Sequence, residues 1–347
     1  MTKTTLETEI WQQPEALEEL LEAERAAVAR VALDLAKHRV SYILMAARGS
    51  SDNAARYAQY LFGFFNRIPV ALAVPSLYTL YDSPPNMSGA LVIGISQSGR
   101  SPDIVAVLEA ARVQGCPTLA ITNDTTSALA RAATSVLQLR TGVERAVAAT
   151  KTYTNSLALL AMLSATMAGD DKRLSELQRV PALMRGTLQG LQPVMPSFER
   201  YQYLQHCAVL GRGFNYATVF EVALKIKELT GVTAEAYSSA DFLHGPISIV
   251  GRGFPLLLIA PDGSTLSTLK DLAQLSRERG ADLLVIASDR ELLAQAQTPL
   301  RLPGDLPEWL SPMIATLPGQ VFAMNLARLK GHDIDHPVGL EKVTETY

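Results

Sequence analysis

Ser96, Gln97, Ser98 and Ser101 crowd around Gly99 in LVIGISQSGRSPD (residues 91–103), where an apolar run stops and a helical pattern begins. A strand that turns into a helix leaves backbone N–H groups unpaired at the positive end of the helix dipole, which makes an anion site. Three hydroxyls and an amide add donors, and glycine admits close backbone approach, so the turn suits a phosphate monoester. Serine is also a favoured helix cap, and on this turn alone capping and phosphate binding stand level. A second such turn, Arg48–Gly49–Ser50–Ser51, closes another apolar run in the same half. Two turns at the C-terminal edge of a parallel sheet are where open α/β folds take ligands, which favours the phosphate reading. The chain lacks GxxxxGK[ST], and GRGFNY lacks the third glycine of the dinucleotide fingerprint, so neither ATP nor NAD is indicated and no cofactor is expected.

Groups able to move protons lie further on. Glu221, Lys225 and Glu228 in FEVALKIKEL share one helix face. Such a trio ordinarily forms a solvated face with an ion pair; the functional alternative is a carboxylate and an amine held beside a ligand for proton transfer. His244 precedes Gly-Pro in a loop and could act as acid or base, although a lone histidine is more often structural. His332, Asp333, Asp335 and His336 are metal-ligand types at a spacing that fits no established pattern, so no metal site is expected. Lys342 would ordinarily be a solvated tail charge.

The elements that must position these residues alternate. Residues 9–38 have apolar positions at helical spacing, with Pro14 suited to a first turn. Residues 42–47 then read as a strand with a helix from near Ser51, and LVIGISQSGRSPDIVAVLEAARVQGCPTLAITN reads as strand, turn, helix, glycine stop, strand. The plan returns in HCAVLGRGFNYATVFEVALKIKEL (206–229) and FPLLLIAPDGSTLSTLKDLAQLSRERGADLLVIAS (254–288), with APDGSTLSTL in the place of SQSGRSPDIV. Right-handed βαβ crossovers, a parallel sheet and two similar α/β domains from an internal duplication are therefore expected. The expected divisions are a helical lead-in over 1–38, a first domain over 39–170, a connection over 171–200, a second domain over 201–330 and a tail over 331–347.

The 347 residues suit about two domains, 48% are apolar, and the net charge of −3 gives no reason to expect nucleic acid or an anionic membrane as partner. The apolar stretch 156–169 is too short to span a bilayer and reads as a buried helix. Cys116 and Cys207 lie far apart, and the start MTKTTLETEIW lacks the basic-then-apolar order of a signal peptide, so a reducing cytoplasm is expected.

The segments EIWQQPEAL, ARGSS, SQSGRSPD, ERAVAATKTYT, GRGFNYATVFEVALKIKE, AEAYSSADFLHGP and HPVGLEKVTETY, in this order and over nearly the whole chain, resemble the sugar isomerase (SIS) family. The resemblance is strongest to the isomerase half of glucosamine-6-phosphate synthases. It implies two SIS domains, each a parallel sheet flanked by helices in a flavodoxin-like three-layer sandwich, and a homodimer. It also implies that Ser51, Ser96, Gln97, Ser98 and Ser101 hold the sugar phosphate, with Arg48, Gly49 and Ser50 in the same turn, and that Val147 and Ala149 lie along the sugar. Glu228 would be the base between C1 and C2, with Lys225 supporting it. His244 would assist ring opening from the neighbouring subunit, and Lys342 would be the amine that meets the carbonyl.

Departures from the synthase pattern bear on the reaction. Arg48 stands for cysteine, Ala149 for serine, Val338 for arginine, and Glu341 replaces a small residue before the lysine. EIWQQPEAL already begins at residue 9 and no terminal cysteine precedes it, so glutamine hydrolysis is not expected of these residues. The ending GLEKVTET is more similar to that of stand-alone amino-sugar-phosphate deaminases. The expectation is glucosamine 6-phosphate plus water giving fructose 6-phosphate plus ammonia. The alternatives are the same chemistry run toward synthesis with free ammonia, a related phosphosugar or adduct as substrate, and a non-catalytic sugar-phosphate sensor.

Overall fold

Short apolar runs closed by glycine or serine become strands, and the amphipathic segment after each becomes the return helix. The computed structural model describes residues 3–342. Helices α1 (Thr5–Trp11), α2 (Gln13–Ala23) and α3 (Arg25–Leu35) precede β1 (Tyr42–Ala46). The first series continues with α4 (Gly49–Leu61), β2 (Val70–Leu72), α5 (Ser76–Thr79), β3 (Ala90–Ile95), α6 (Pro102–Val113), β4 (Thr118–Thr122), α7 (Ala128–Ala132), β5 (Ser135–Gln138) and α8 (Lys151–Met167). Helices α9 (Asp171–Leu177) and α10 (Val180–Leu191) lead to β6 (His206–Gly211), α11 (Tyr216–Thr230), β7 (Thr233–Ser238), α12 (Ser239–Leu243) and β8 (Pro255–Ala260). Then come α13 (Leu266–Glu278), β9 (Asp282–Ala287), α14 (Arg290–Ala294), β10 (Thr298–Arg301) and α15 (Ser311–Leu329).

The strands form two wholly parallel sheets, ordered β2-β1-β3-β4-β5 and β10-β9-β8-β6-β7. Read from its other edge, the second is β7-β6-β8-β9-β10, the same connectivity as the first. This is the flavodoxin-like order, whose direction reverses between the first and third strands. All six residues of β3 are buried, as an inner parallel strand covered on both faces requires. Val92, Ile104, Leu108, Ala120 and Leu129 share one core, and Leu210, Leu258, Leu269, Leu283 and Val285 share the other. The apolar stretch around 156–169 is the buried body of α8.

The chain forms two compact units. Among the described residues, the first holds 15–144 and 149–179 with Glu341 and Lys342; the second holds 3–14, 145–148 and 180–340. The lead-in is three helices, so α1 groups with the second sheet while α2 and α3 group with the first. Pro14 sits in the first turn of α2, where its missing N–H costs no hydrogen bond. Helix α4 begins two residues ahead of the expected Ser51 because Arg48 is extended and Gly49, at φ 54°, opens the turn. Among the described residues no helix is long and apolar enough to cross a membrane.

Candidate active site

In the first unit both serine turns lie at the switch point of the sheet, one after β1 and one after β3. Gly99, at φ 62°, donates its N–H to Ser96 Oγ (3.1 Å) and accepts from the Leu129 N–H (3.0 Å). Ser96 is therefore partly spent on shaping the turn; its Oγ lies 3.4 Å from Ser101 Oγ. Ser101 is the N-cap of α6 but makes no capping hydrogen bond with its side chain, so capping does not explain its hydroxyl. Ser98 Oγ accepts from the Arg100 N–H (3.3 Å), and the carbonyl of Gln97 accepts from the Asn123 N–H (3.1 Å). Gln97, Ser98 and Ser101 are half-buried, as are Ser50 and Ser51 in the first turn of α4. Arg48 ties the two turns together: its Nε donates to Oδ2 of the fully buried Asp103 (2.8 Å), while half of its side chain stays exposed. A Cβ built on Gly49 would meet nothing within 4 Å, so the turn after β1 is open, whereas one on Gly99 would lie 2.1 Å from Ser127 Oγ, so the turn after β3 is backed by that hydroxyl.

Within residues 144–150, Glu144, Ala146, Ala148 and Thr150 are buried, while Val147 and Ala149 are half-buried. The flanks of this stretch are fixed by carboxylates that sequence reasoning missed. In the second unit the buried Glu9 of α1 accepts from the N–H groups of Arg145 (2.6 Å) and Ala146 (3.1 Å). In the first unit Glu144, its side chain fully buried, accepts from the Thr150 N–H (3.0 Å), the Thr152 N–H (3.1 Å) and Thr152 Oγ1 (2.7 Å) at the start of α8. The tail lysine completes that set, with Lys342 Nζ 2.9 Å from Glu144 Oε2. Burial pushes the Glu144 carboxyl up, but the Lys342 charge, its hydrogen bond and those from Thr150 and Thr152 outweigh it and hold the group below the usual carboxylate range. Lys342 is thus a docked amine, only 23% exposed, and Glu341 beside it is exposed. A carboxylate just ahead of the threonine-rich start of a buried helix is the signal that could have pointed to Glu144.

In the second unit the face shared by Glu221, Lys225 and Glu228 is not solvated. Lys225 is buried, with its Nζ 2.5 Å from Glu228 Oε2 and 3.5 Å from Glu221 Oε1. Glu221 is fully buried, whereas Glu228 retains 24% exposure and lines an open cavity of about 310 Å³ with Lys227, Thr230, His332, Val338 and Leu340. The trio therefore presents one reachable carboxylate backed by a buried ammonium, an arrangement suited to taking and returning a proton. His244 caps α12 through its backbone and exposes its ring. Asp335 accepts from the Thr5 and Leu6 N–H groups (both 2.9 Å), and Asp333 accepts from those of Asp335 and His336, so these carboxylates shape the tail and cap α1. Among the described residues no group of three or more His, Cys, Asp or Glu is placed to hold a metal ion.

Comparison with known proteins follows the same lines. The family model of the SIS domain matches residues 36–165 and 205–329. The glutamine–fructose-6-phosphate aminotransferase (isomerizing) of Bordetella parapertussis is 34% identical over 97% of this chain, and the chain spans 57% of that relative's length. The C-terminal domain of the glucosamine-fructose-6-phosphate aminotransferase of Francisella tularensis superposes with a TM-score of 0.87 at 27% identity, covering 97% of this chain and 99% of that one. The glucosamine-6-phosphate deaminase of Thermotoga maritima shares the fold, with a TM-score of 0.78 at 22% identity, covering 99% of this chain and 100% of that one.

Proposed function

The chain belongs to the SIS domain family and is related to phosphosugar isomerases; on that footing we propose that it is an amino-sugar-phosphate deaminase of the aldose–ketose isomerase type. It converts glucosamine 6-phosphate and water to fructose 6-phosphate and ammonia. The observation that carries the reading is the buried Lys225 between two carboxylates, one of which, Glu228, opens onto a cavity. The departures at Arg48, Ala149 and Val338, together with the GLEKVTET ending, favour release of ammonia over the synthase reaction.

The serine turns anchor the phosphate, so binding energy remote from the reacting end orients it. His244, supplied by a second copy of the chain, transfers a proton as the ring opens. Glu228 removes the C2 proton of the open aldehyde, giving an enolamine, and returns it to C1. The C2 imine then adds water and expels ammonia, leaving the ketone. The family resemblance assigns Lys342 as the amine that can displace ammonia at this carbon as a Schiff base, which water then hydrolyses to the ketone and free lysine.

The test is to incubate the protein with glucosamine 6-phosphate, without glutamine, and quantify both products. Equal amounts of ammonia and fructose 6-phosphate are expected. Glu228→Gln lowers turnover about a hundredfold or more with little change in KM. Near-normal turnover in that variant would remove Glu228 from the role, and absence of both products with wild-type protein would overturn the deaminase reading. The 34% identity to an aminotransferase supports a second reading, in which fructose 6-phosphate and free ammonia are joined. Running the assay from that side over a range of ammonia concentrations separates the two directions.

A further inference from the structure

The duplication gives the second unit its own pair of turns at the switch point of its own sheet, with glycines at matching positions. Arg212–Gly213 follows β6 as Arg48–Gly49 follows β1, and Gly263 follows β8 as Gly99 follows β3. All four glycines have positive φ: 54° and 62° in the first unit, 65° and 148° in the second. The two cups differ in what fills them. A Cβ on Gly49 would enter open space, whereas one on Gly213 would lie 3.2 Å from Glu308 Oε1; a Cβ on Gly99 would strike the Ser127 hydroxyl (2.1 Å), and one on Gly263 would strike Glu308 Oε2 (2.2 Å), so a hydroxyl in the first unit is matched by a carboxylate in the second. The same Oε2 accepts a hydrogen bond from the Ser264 N–H (2.8 Å), just ahead of α13. A carboxylate therefore spans both turns and takes a backbone N–H where a phosphate oxygen would sit.

We infer that the second unit carries a counterpart of the phosphate cup, filled by its own Glu308 carboxylate, and that removal of that side chain opens a site for a phosphate group. Its ligand class is the phosphate monoester or inorganic phosphate. Glycine is required at Gly263 twice over: its φ of 148° strains any side chain, and a Cβ there would also strike the Glu308 carboxylate. A tethered carboxylate needs no association step, so it outcompetes free phosphate at ordinary concentrations. The filled cup restricts the protein to one phosphate-anchored substrate per chain despite its two similar domains.

The experiment counts sites. Wild-type protein and Glu308→Ala are dialysed to equilibrium against radiolabelled inorganic phosphate, and the phosphate bound per chain is measured to saturation. One additional phosphate per chain is expected in Glu308→Ala. Equal stoichiometry in the two proteins, with the variant folded by circular dichroism, overturns the inference. Should Glu308→Ala fail to fold, Glu308→Ser keeps a short polar group for the Ser264 N–H, and the same count applies. Failure of the first cup reads differently: wild type then binds no phosphate, while the gain on replacing Glu308 persists.

Discussion

At the scale of single residues, the buried carboxylates carry most of the information. Glu144 has five polar groups around it from the start of α8 and from the tail, and its charge is offset by Lys342. Its carboxyl is held below its ordinary value of 4.5, so its contribution to stability is complete above that pH and is lost as pH falls through the lowered folded value. Glu144→Gln should cost about 3 kcal/mol at neutral pH, because Lys342 then loses its counter-charge. The same change should flatten the acid limb of the stability curve. Denaturant melts of both proteins from neutral pH down to acid check this; parallel curves would show that Glu144 contributes no pH-dependent stability. Asp103 plays a similar part for Arg48, fixing one end of a guanidinium whose other side is open.

At the scale of elements, the turn after β3 depends on a backbone that only glycine adopts without strain. Gly99 sits at φ 62°, and a Cβ there would lie 2.1 Å from Ser127 Oγ and 2.5 Å from its Cβ. Ser127 cannot easily retreat, because its Oγ caps α7 by accepting from the Ala130 N–H. Gly99→Ala should therefore destabilise the first unit by about 1–3 kcal/mol and weaken phosphate binding through displacement of Ser98 and Ser101. A thermal melt read beside KM for the sugar phosphate tests it. Unchanged KM with a lowered melting temperature would separate the turn from substrate binding. Close packing of another pair is set the same way: a Cβ on Gly319 of α15 would come 2.3 Å from Val222 of α11, so glycine lets the two helices meet.

At the scale of the whole molecule, the prediction concerns a second copy of the chain. If His244 serves the neighbouring subunit's Glu228, then Glu228→Gln and His244→Ala homodimers are each inactive for different reasons. Mixing them under exchange conditions should restore ammonia release, since one site of each heterodimer combines an intact Glu228 with an intact His244. Restoration is measured against each variant alone; exchange proved by mass with no recovered activity would place His244 in the same subunit as the base. Duplication gives the chain two sheets of one topology, but the contents of their switch points differ, hydroxyl-lined turns in one and the Glu308 carboxylate in the other.

By itself the sequence determined the parallel α/β plan, the repeat of that plan and the serine turns. These follow from local causes: apolar runs of strand length, amphipathic segments of helix length, and glycines and serines where one becomes the other. It also put Glu221, Lys225 and Glu228 on one helix face, because helical periodicity alone fixes that. Whether the face was wet or buried was not legible, since burial is decided by what packs against α11, and α15 arrives from about a hundred residues away. The partners of Lys342 and of the Arg145–Ala146 backbone were hidden for the same reason. Glu144 lies 198 residues from Lys342, and Glu9 lies 136 residues from Arg145. Only the tertiary structure brings such groups together, because a charge-assisted hydrogen bond reaches about 3 Å and leaves no periodic trace in the chain.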